Sequence, residues 1–364
     1  MKKILLIADS NMSLSGVPVV FMSIVRQLHQ EYLFDIVVLK NNDMYFEKEF
    51  LSYGGKVYYF PFDKPDGFLK KLKWLTSYYK EVRDFLKRNL NLNDYQAIHS
   101  FNEGFSYPFL KEAQKAGINS RLLHICSAAS AYPFKKIFAQ KIFNWYQKKA
   151  KKYATNLIFV SEQSLKLNDY SNKGVVLYNM YDEKKFGNII DCDHDKLVLT
   201  QIGTFSHRKN QLFALEVINK VKETINDATL KIVGFELDDG YLCKMIDYIK
   251  GNKLDKNVVF EDKSKDRIEL AKETSYILYP STMESFGLVL IESQACGIHC
   301  FANKDIPNDA DMGNTDFLPL DAGLWANKII DYYKENKNKR TQPINTEKFS
   351  SQQFVKTVDF LYGK

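Results

Sequence analysis

The sequence predicts an α/β protein built from two doubly wound parallel sheets in series. Short apolar runs alternate with longer segments of helical period along most of the chain, which is the pattern of a parallel sheet covered by helices on both faces. The alternation stops at a polar stretch near residue 180 and then restarts. At 364 residues, the chain is long enough for two domains that each bury a core.

The predicted strands are rich in β-branched and aromatic residues, as buried strands are. The first group is "KILLIA", "FDIVVLK", "KVYYFP", "AIHSF", "RLLHIC", "NLIFVS" and "GVVLYN". The second group is "KLVLTQIG", "LKIVG", "NVVFE", "SYILYPS" and "HCFAN". We expect helices between these strands, and ligands beyond the carboxyl ends of the strands.

The domain limits follow from the break in the pattern. Residues 180–196 are polar and have no clear period, which favours an interdomain linker at 181–195. The first domain is then 1–180 and the second is 196–345. A charged connector precedes the last helical segment, about 346–364, so this segment could pack back on the first domain.

The composition limits the kinds of binding partner and the cellular compartment to be expected. A net charge of +7 and a pI near 8.8 favour anionic partners, which are phosphate groups, a membrane surface or nucleic acid. The five cysteines are scattered, so we expect reduced thiols and a cytoplasmic location. The apolar run in "MKKILLIADS" is about six residues, too short for a signal peptide, and no run approaches the ~18 residues of a membrane span. A soluble or peripheral protein is predicted.

Two glutamates, Glu284 and Glu292, flank the turn-forming Ser-Phe-Gly of "MESFGLVLIE". In one continuous helix they would stand ~12 Å apart along the axis, whereas paired glycosidase carboxylates lie ~5–9.5 Å apart. A glycosidase is therefore disfavoured. We favour a strand-to-helix turn with Glu284 in the loop and Glu292 two turns inside the helix, where they could accept hydrogen bonds from sugar and ribose hydroxyls. The alternative is a capping glutamate plus an exposed helix glutamate.

The loop "GTFSHRKNQ" is the second candidate site. Gly203 ends a predicted strand, and Arg208 and Lys209 stand at the predicted start of the next helix. Free N–H groups and the helix dipole favour an anion at such a position. The two basic side chains could clamp a diphosphate and stabilise its charge as a leaving group.

Three further candidates lie in the first half of the chain. Gly16 precedes a predicted helix and indicates a second loop that could approach a ligand closely. His99 and His124 lie in or at the end of predicted strands. A hydrogen-bonded core histidine is the more common alternative to a catalytic one at such positions.

Together these segments resemble the retaining glycosyltransferases of family 4. "MESFGLVLIE" is similar to their Glu-x7-Glu motif, and "IGTFSHRKN" to their phosphate-binding loop. Seven more segments follow the order of the branch that builds capsular and exopolysaccharide repeat units: "SGVPVVFMSIVRQL", "FEKEFLSYGGKVYYFP", "AIHSFNEG", "AQKAGINSRLLHICS", "VLYNMYDEKKF", "VVFEDKSKD" and "GIHCFANKDIP". The resemblance implies the GT-B fold, with two Rossmann-like domains facing each other across a cleft. The first domain would be on the acceptor side, and the second would bind the nucleotide sugar.

The resemblance also implies a reaction. A sugar would move from a nucleoside diphosphate sugar, with a UDP-sugar as the expected donor, to an oligosaccharide acceptor, for which the basic aromatic segments described below indicate a lipid link. The anomeric configuration would be retained, and no metal would be required. Glu284 would contact the donor sugar, Glu292 the ribose and Lys209 the diphosphate. The expected donor-binding residues are Gly16, His99, Gly203, Arg208, Lys209, Ser285, Phe286, Gly287 and Glu292, and the expected catalytic residues are His124, Lys209 and Glu284.

Two positions depart from the family pattern. Thr204 stands where the family usually has arginine, and Arg208 is a candidate substitute. Cys126 stands where relatives often carry the second histidine of His-x-His, so the sugar-facing role falls to His124 or is absent. Two other functions stay open on this sequence: a sugar-nucleotide epimerase of the same fold and a non-catalytic GT-B partner subunit.

Two basic aromatic segments, residues 134–153 and 68–88, indicate a further partner. In the first segment, five apolar or aromatic residues recur near helical spacing with lysines between them. They are Phe134, Phe138, Ile142, Trp145 and Tyr153. Such a segment is either an interfacial helix or a packed helix with a solvated lysine face. We expect an anionic membrane surface, on the inner face of the cell membrane, as the partner. Nucleic acid is not expected, because no recognised binding motif accompanies the lysines.

Overall fold

The computed structural model describes residues 1–8, 10–13, 16–39, 44–61, 68–101, 103–126, 137–167, 174–262 and 264–363. The chain divides into two units, one formed by Met1–Asn179 with Ser351–Lys364 and the other by Met180–Ser350. Residues 181–195, predicted as a linker, lie within the second unit, and the end of the chain lies within the first.

The first unit contains a sheet of seven strands among its described residues. These are β1 (Lys2–Ala8), β2 (Tyr32–Leu39), β3 (Val57–Phe60), β4 (Tyr95–Phe101), β5 (Ser120–Ile125), β6 (Asn156–Phe159) and β7 (Gly174–Val176). Their order in the sheet is β3-β2-β1-β4-β5-β6-β7, and every neighbouring pair is parallel. The strand order reverses between β1 and β4, which makes that position the topological switch point of a doubly wound sheet.

The helices of this part of the chain follow the strands in alternation. They are α1 (Gly16–Leu28), α2 (Glu47–Ser52), α3 (Phe68–Asn89), α4 (Glu103–Lys115), α5 (Ile137–Tyr153) and α6 (Glu162–Leu167), with a 3₁₀ turn at Leu92–Asp94. The central strands are buried on both faces, as the pattern of β1 illustrates from Ile4 to Ala8. A strand covered on both faces needs a continuous apolar run rather than an alternating one, and "ILLIA" supplies it.

The second unit repeats the architecture with six strands. These are β8 (Val198–Ile202), β9 (Thr229–Gly234), β10 (Val258–Asp262), β11 (Tyr276–Tyr279), β12 (His299–Asn303) and β13 (Thr315–Leu318). The order is β10-β9-β8-β11-β12-β13, again with parallel neighbours. The switch point lies between β8 and β11, so the loops that follow these two strands meet at the carboxyl edge of the sheet.

Six helices belong to the second unit within the described residues. They are α7 (Glu183–Phe186), α8 (Gln211–Val221), α9 (Tyr241–Gly251), α10 (Arg267–Lys272), α11 (Leu288–Ala295) and α12 (Ala322–Asn336), with 3₁₀ turns at Asn308–Ala310 and Thr346–Phe349. The core lies between the sheet and α8, α9 and α12, where the fully buried Trp325 packs edge-on against Phe213.

The last helix, α13 (Ser351–Gly363), returns to the first unit and packs against α1, β4 and β5. Its backbone carbonyls are held by the first sheet, since Ser120 Oγ donates to Leu361 O at 2.6 Å and Gln96 Nε2 donates to Tyr362 O at 3.0 Å. Tyr362 is fully buried. Two parallel, doubly wound sheets confirm the predicted fold class.

Candidate functional site

The loop after β8 is shaped by two glycines at adjacent strand ends. Gly203 has a φ of 155° and Gly234 a φ of 159°. A Cβ on Gly234 would lie 2.0 Å from the carbonyl oxygen of Gly203, and a Cβ on Gly203 would lie 3.2 Å from Cδ and Cε of Lys209. The absence of side chains therefore lets the two strand ends approach closely, and it lets the stem of Lys209 lie across Gly203.

Lys209 reaches from this loop to the loop after β11. Its Nζ lies 2.5 Å from Glu284 Oε1, and the two side chains are only 12% and 8% exposed. The Tyr279 hydroxyl is 3.5 Å from the same Nζ, and Gln201 Nε2 donates to the Lys209 carbonyl at 2.7 Å. We call Lys209, Glu284 and Tyr279 the Lys209 cluster. It lies at the switch point of the sheet, where a doubly wound fold binds its ligand.

The charges in this cluster follow from its surroundings. Burial raises the pKa of the Glu284 carboxyl, but the attraction and hydrogen bond of Lys209, assisted by Arg208 and Ser281, outweigh burial and hold the pKa below its usual value. Burial and the neighbouring Glu284 carboxylate raise the pKa of Tyr279 well above its ordinary value. Near neutral pH, Glu284 is therefore ionised and Tyr279 keeps its proton.

Arg208 and Lys209 do not stand at a helix start, so that prediction was wrong. Helix α8 begins at Gln211, and Asn210 before it has a left-handed backbone with φ 56° and ψ 47°. The amides of Lys209 and Asn210 are already donated to Ser206 O. Arg208 is exposed, and its carbonyl accepts from Thr282 N at 2.9 Å, which ties together the loops after β8 and β11.

The Ser-Phe-Gly turn is confirmed. Gly287 has φ +129° and precedes α11, with Glu284 in the loop and Glu292 on the fifth residue of the helix, about one turn inside it rather than two. Phe286 is buried and packs against Phe349 with ring centroids 5.9 Å apart, which anchors the loop, while Ser285 is partly exposed. The amide of Leu290 is already donated to Gly287 O at 3.0 Å, and the N–H groups that precede it are at the helix end that generally favours an anion.

Glu292 lines a pocket between α10 and α11, whose other lining residues include Phe186, Ile202 and Arg267. Burial raises the pKa of Glu292, opposed by the charges of Arg267 and Lys185. The Arg267 guanidinium Nη1 has no hydrogen-bond partner among the described residues. A carboxylate and a guanidinium on one pocket wall can bind a ligand that has both hydroxyl donors and oxygen acceptors.

His99 and His124 lie in the interior of the first unit. Both are fully buried, with His99 Nε2 3.3 Å from His124 Nδ1 and His99 Nδ1 2.9 Å from the Tyr362 hydroxyl. We call these three residues the His99 cluster. Burial lowers the pKa of His124 to about 3 and, with the neighbouring His124, lowers that of His99 well below its ordinary value. This arrangement favours the core interpretation of both histidines over contact with a sugar.

Gly16 is the first residue of α1, and it is exposed. A Cβ there would have open space around it, so no packing contact within the described residues explains this glycine. Leu14 and Ser15, which belong to the predicted loop, lie outside the described residues. Of the predicted site residues, the structure thus brings Gly203, Lys209 and Glu284 together.

Comparison with known proteins finds similarity to glycosyltransferases. Residues 182–347 match the family described as "Glycosyl transferases group 1". The chain is 24% identical over 349 residues to the Bacillus subtilis (strain 168) protein named as glycosyltransferase EpsF, covering 88% of this chain and 85% of that protein. It is 24% identical over 296 residues to the capsular polysaccharide biosynthesis glycosyltransferase CapH of Staphylococcus aureus, covering 78% and 76%. Residues 182–347 of this chain are thus similar to the group 1 glycosyltransferases.

Comparison with solved structures identifies the fold. The crystal structure of Anabaena Alr3699/HepE in complex with UDP and glucose matches 99% of both chains with a TM-score of 0.76 at 17% identity. The chain therefore has the GT-B fold, with one Rossmann-like sheet in each unit.

The departures from the family pattern can now be placed. Thr204 lies in the turn after Gly203, and its carbonyl accepts from Gln211 Nε2 at 2.9 Å. Arg208, the candidate substitute for the family's arginine, lies close enough for its charge to lower the pKa of Glu284. Cys126 is a partly exposed cysteine directly after β5.

Two contributors to the glycosyltransferase site were missed by sequence reasoning. Arg267 is the first residue of α10, and its only sequence signal is the N-cap Asp266, which accepts from Ile268 N and Glu269 N. Tyr279 ends a strand that was predicted, but nothing in its pattern marks it as the hydroxyl beside Lys209. Both roles depend on side chains from distant positions in the chain.

Proposed function

We propose that this glycosyltransferase moves a sugar from a UDP-sugar to a hydroxyl of a lipid-linked oligosaccharide with retention, during synthesis of a cell-surface polysaccharide. The capsular polysaccharide function in the name of CapH supports the pathway class. The UDP and glucose in the HepE complex support the donor class. No metal is assigned to the reaction, because Lys209 and Arg208 supply cations for the diphosphate.

The observation that carries the proposal is the Lys209–Glu284 ion pair. A lysine ammonium has three N–H donors, and Glu284 takes one of them at 2.5 Å. The other donors can bind diphosphate oxygens while Glu284 keeps a second oxygen for a sugar hydroxyl. The pair is largely enclosed, so its electrostatic interactions with a ligand are stronger than they would be in water.

The proposed reaction is a displacement on one face of the sugar. The bond between the anomeric carbon and the diphosphate oxygen breaks, and its electron pair goes to that oxygen. The acceptor oxygen bonds to the anomeric carbon from the same face, and its proton passes to the departing phosphate oxygen. Lys209 and Arg208 stabilise the negative charge of the leaving group, so positioning and electrostatics supply the rate without a side-chain base.

Glu292 and the pocket beneath it complete the donor site in this proposal. The ribose hydroxyls would donate to Glu292, and the first N–H groups of α11 would contact the diphosphate. Glu284 then distinguishes a sugar-bearing donor from a bare nucleotide, whereas Glu292 contacts both.

Two isosteric variants test this division. Glu292→Gln should weaken UDP binding about 10- to 150-fold, which corresponds to the ~1.5–3 kcal/mol of a hydrogen bond to a charged group. Glu284→Gln should leave UDP affinity within a few-fold and reduce sugar transfer instead. The measurements are calorimetry with UDP and a transfer assay with a panel of UDP-sugars and lipid-linked acceptors.

The same assay separates the other functions. An epimerase would convert the UDP-sugar without any acceptor, and a non-catalytic partner subunit would give neither conversion nor transfer. A fully active Glu284→Gln variant would remove the proposed sugar contact.

A further inference from the structure

Helix α5 has one face that is packed and one that is not. Phe143, Tyr146 and Ala150 are buried, and Tyr146 and Ala150 belong to the core that the first unit forms around α3, α4 and its sheet. The inward face therefore holds the helix in place. The outward face of α5 is therefore available to bind a partner.

The outward face repeats at helical spacing. Lys141, Trp145, Lys148 and Lys152 stand at positions i, i+4, i+7 and i+11 and are all exposed, Trp145 to 47%. We call these four residues the α5 face. The whole of α5 contains five lysines and no aspartate or glutamate, so no acidic residue of the helix itself neutralises this face.

Contacts with neighbouring side chains hold the Trp145 ring in a partly exposed position. Its ring is 5.4 Å from that of Tyr107 on α4 and 5.2 Å from that of Tyr146, and Lys149 Nζ lies 5.3 Å from its centroid. The nearby acid on α4, Glu112, is occupied by Lys115 at 2.7 Å. A supported indole surrounded by lysines loses little conformational freedom when its exposed edge becomes buried.

We infer that the α5 face docks on an anionic phospholipid bilayer. The lysines match the negative charge of the headgroups, their apolar stems can extend along the interface, and an indole is the side chain that membrane–water interfaces favour. No helix among the described residues is long and apolar enough to cross a membrane, so the contact proposed is with the surface. The docking concerns unit 1 alone and does not rest on the proposed transfer reaction.

The test compares three lysine changes on this face with three elsewhere. The variant Lys141→Gln, Lys148→Gln, Lys152→Gln is matched by Lys244→Gln, Lys250→Gln, Lys256→Gln, which removes the same charge from exposed positions of the second unit. Each lysine near an anionic surface contributes about fivefold in affinity, or ~1 kcal/mol. The α5 variant should therefore bind vesicles of phosphatidylcholine with phosphatidylglycerol on the order of 100-fold more weakly than the native protein, and the control variant only a few-fold more weakly.

Three results decide the proposal. Native binding that needs phosphatidylglycerol, weakens with salt and falls further on Trp145→Ser supports it. Equal losses in the two triple variants would show a response to net charge alone and would overturn it. Tighter binding of the native protein to a single-stranded RNA than to the anionic vesicles would also overturn it, in favour of a nucleic-acid surface. Thermal unfolding of each variant checks that the loss is not due to misfolding.

Discussion

The two units each bury a polar cluster, and the two clusters are opposite in kind. The Lys209 cluster contains a cation and an anion 2.5 Å apart that remain about a tenth exposed. The His99 cluster contains two imidazoles and a hydroxyl that are fully buried. Burial lowers the pKa of both imidazoles, so this cluster is neutral near neutral pH.

The difference shows why burial alone does not identify a functional site. A charged pair at the carboxyl edge of a sheet keeps its charge because each partner compensates the other, and it can exchange one partner for a ligand. In the His99 cluster, which is neutral, most polar atoms already have a hydrogen-bond partner. We therefore expect changes to the first cluster to affect catalysis and changes to the second to affect stability.

The largest expected effect comes from Lys209→Ala. Removing one donor that stabilises developing negative charge typically lowers turnover by ~10²–10³-fold, and the lost ammonium also leaves Glu284 buried without its counter-ion. We expect a loss of sugar transfer in that range, measured as turnover at saturating donor.

The double variant Lys209→Ala, Glu284→Gln separates the two consequences. It removes the uncompensated charge, so thermal stability should recover toward that of the native protein while transfer stays low. Recovery of transfer along with stability would mean that the pair only supports the fold.

A smaller effect is expected from Tyr362→Phe. The change removes the hydroxyl that lies 2.9 Å from His99 Nδ1, and a buried polar atom without a partner costs ~1–3 kcal/mol. Thermal unfolding should shift down while the affinity for UDP, measured by calorimetry, stays unchanged.

Phe360 on the same helix provides the control, because it is 71% exposed. Phe360→Ser should alter neither stability nor UDP affinity appreciably. A Tyr362→Phe variant that keeps its stability but loses UDP affinity would contradict the comparison between the clusters.

A further expected effect is a dependence of stability on pH. Below a pH of ~6.5 the unfolded chain binds a proton at each histidine, whereas folded His124 does so only near its pKa of about 3. Stability should therefore fall as the pH drops below ~6.5, approaching ~1.4 kcal/mol per pH unit for each such histidine. The lowered pKa of Glu284 also makes stability fall as the pH drops, but only at lower pH. Its contribution to stability is complete above the usual range of carboxyl pKa values and is lost below that range.

Amide hydrogen exchange in β4 and β5 between pH 7.5 and 5 would measure this slope, because core amides report the larger opening reactions. His124→Gln should reduce the slope. An identical slope in the variant would mean that folded His124 titrates normally.

Most of the fold could be predicted from the sequence, because its elements have local signals. The run "ILLIA" in β1 is buried and apolar on both faces, which only a sheet covered on both sides requires. Strand β13 was missed, since "TDFL" is short and only partly buried at the sheet edge. The start of α8 was predicted too early, because the residues "RKNQ" do not show that Asn210 has a left-handed backbone.

The site was predictable only in part. The glycines and the Glu-x7-Glu spacing mark the loops, because tight turns restrict which residues fit. The pairing of Lys209 with Glu284 joins residues 75 positions apart in the chain, and the burial of His99 depends on Tyr362, 263 positions away. No local pattern encodes such contacts, so the charge of one cluster and the neutrality of the other become evident only in the folded chain.

The return of α13 to the first unit has a consequence during synthesis. The ribosome completes residues 1–179 first, but the helix that supplies Tyr362 to their core is made about 180 residues later, roughly 10–40 s at ordinary elongation rates. During that interval the nascent first sheet lacks its final helix, and His99 has no phenol to bond. A chain that ends before α13 would therefore have a complete second unit and a first unit without its last helix.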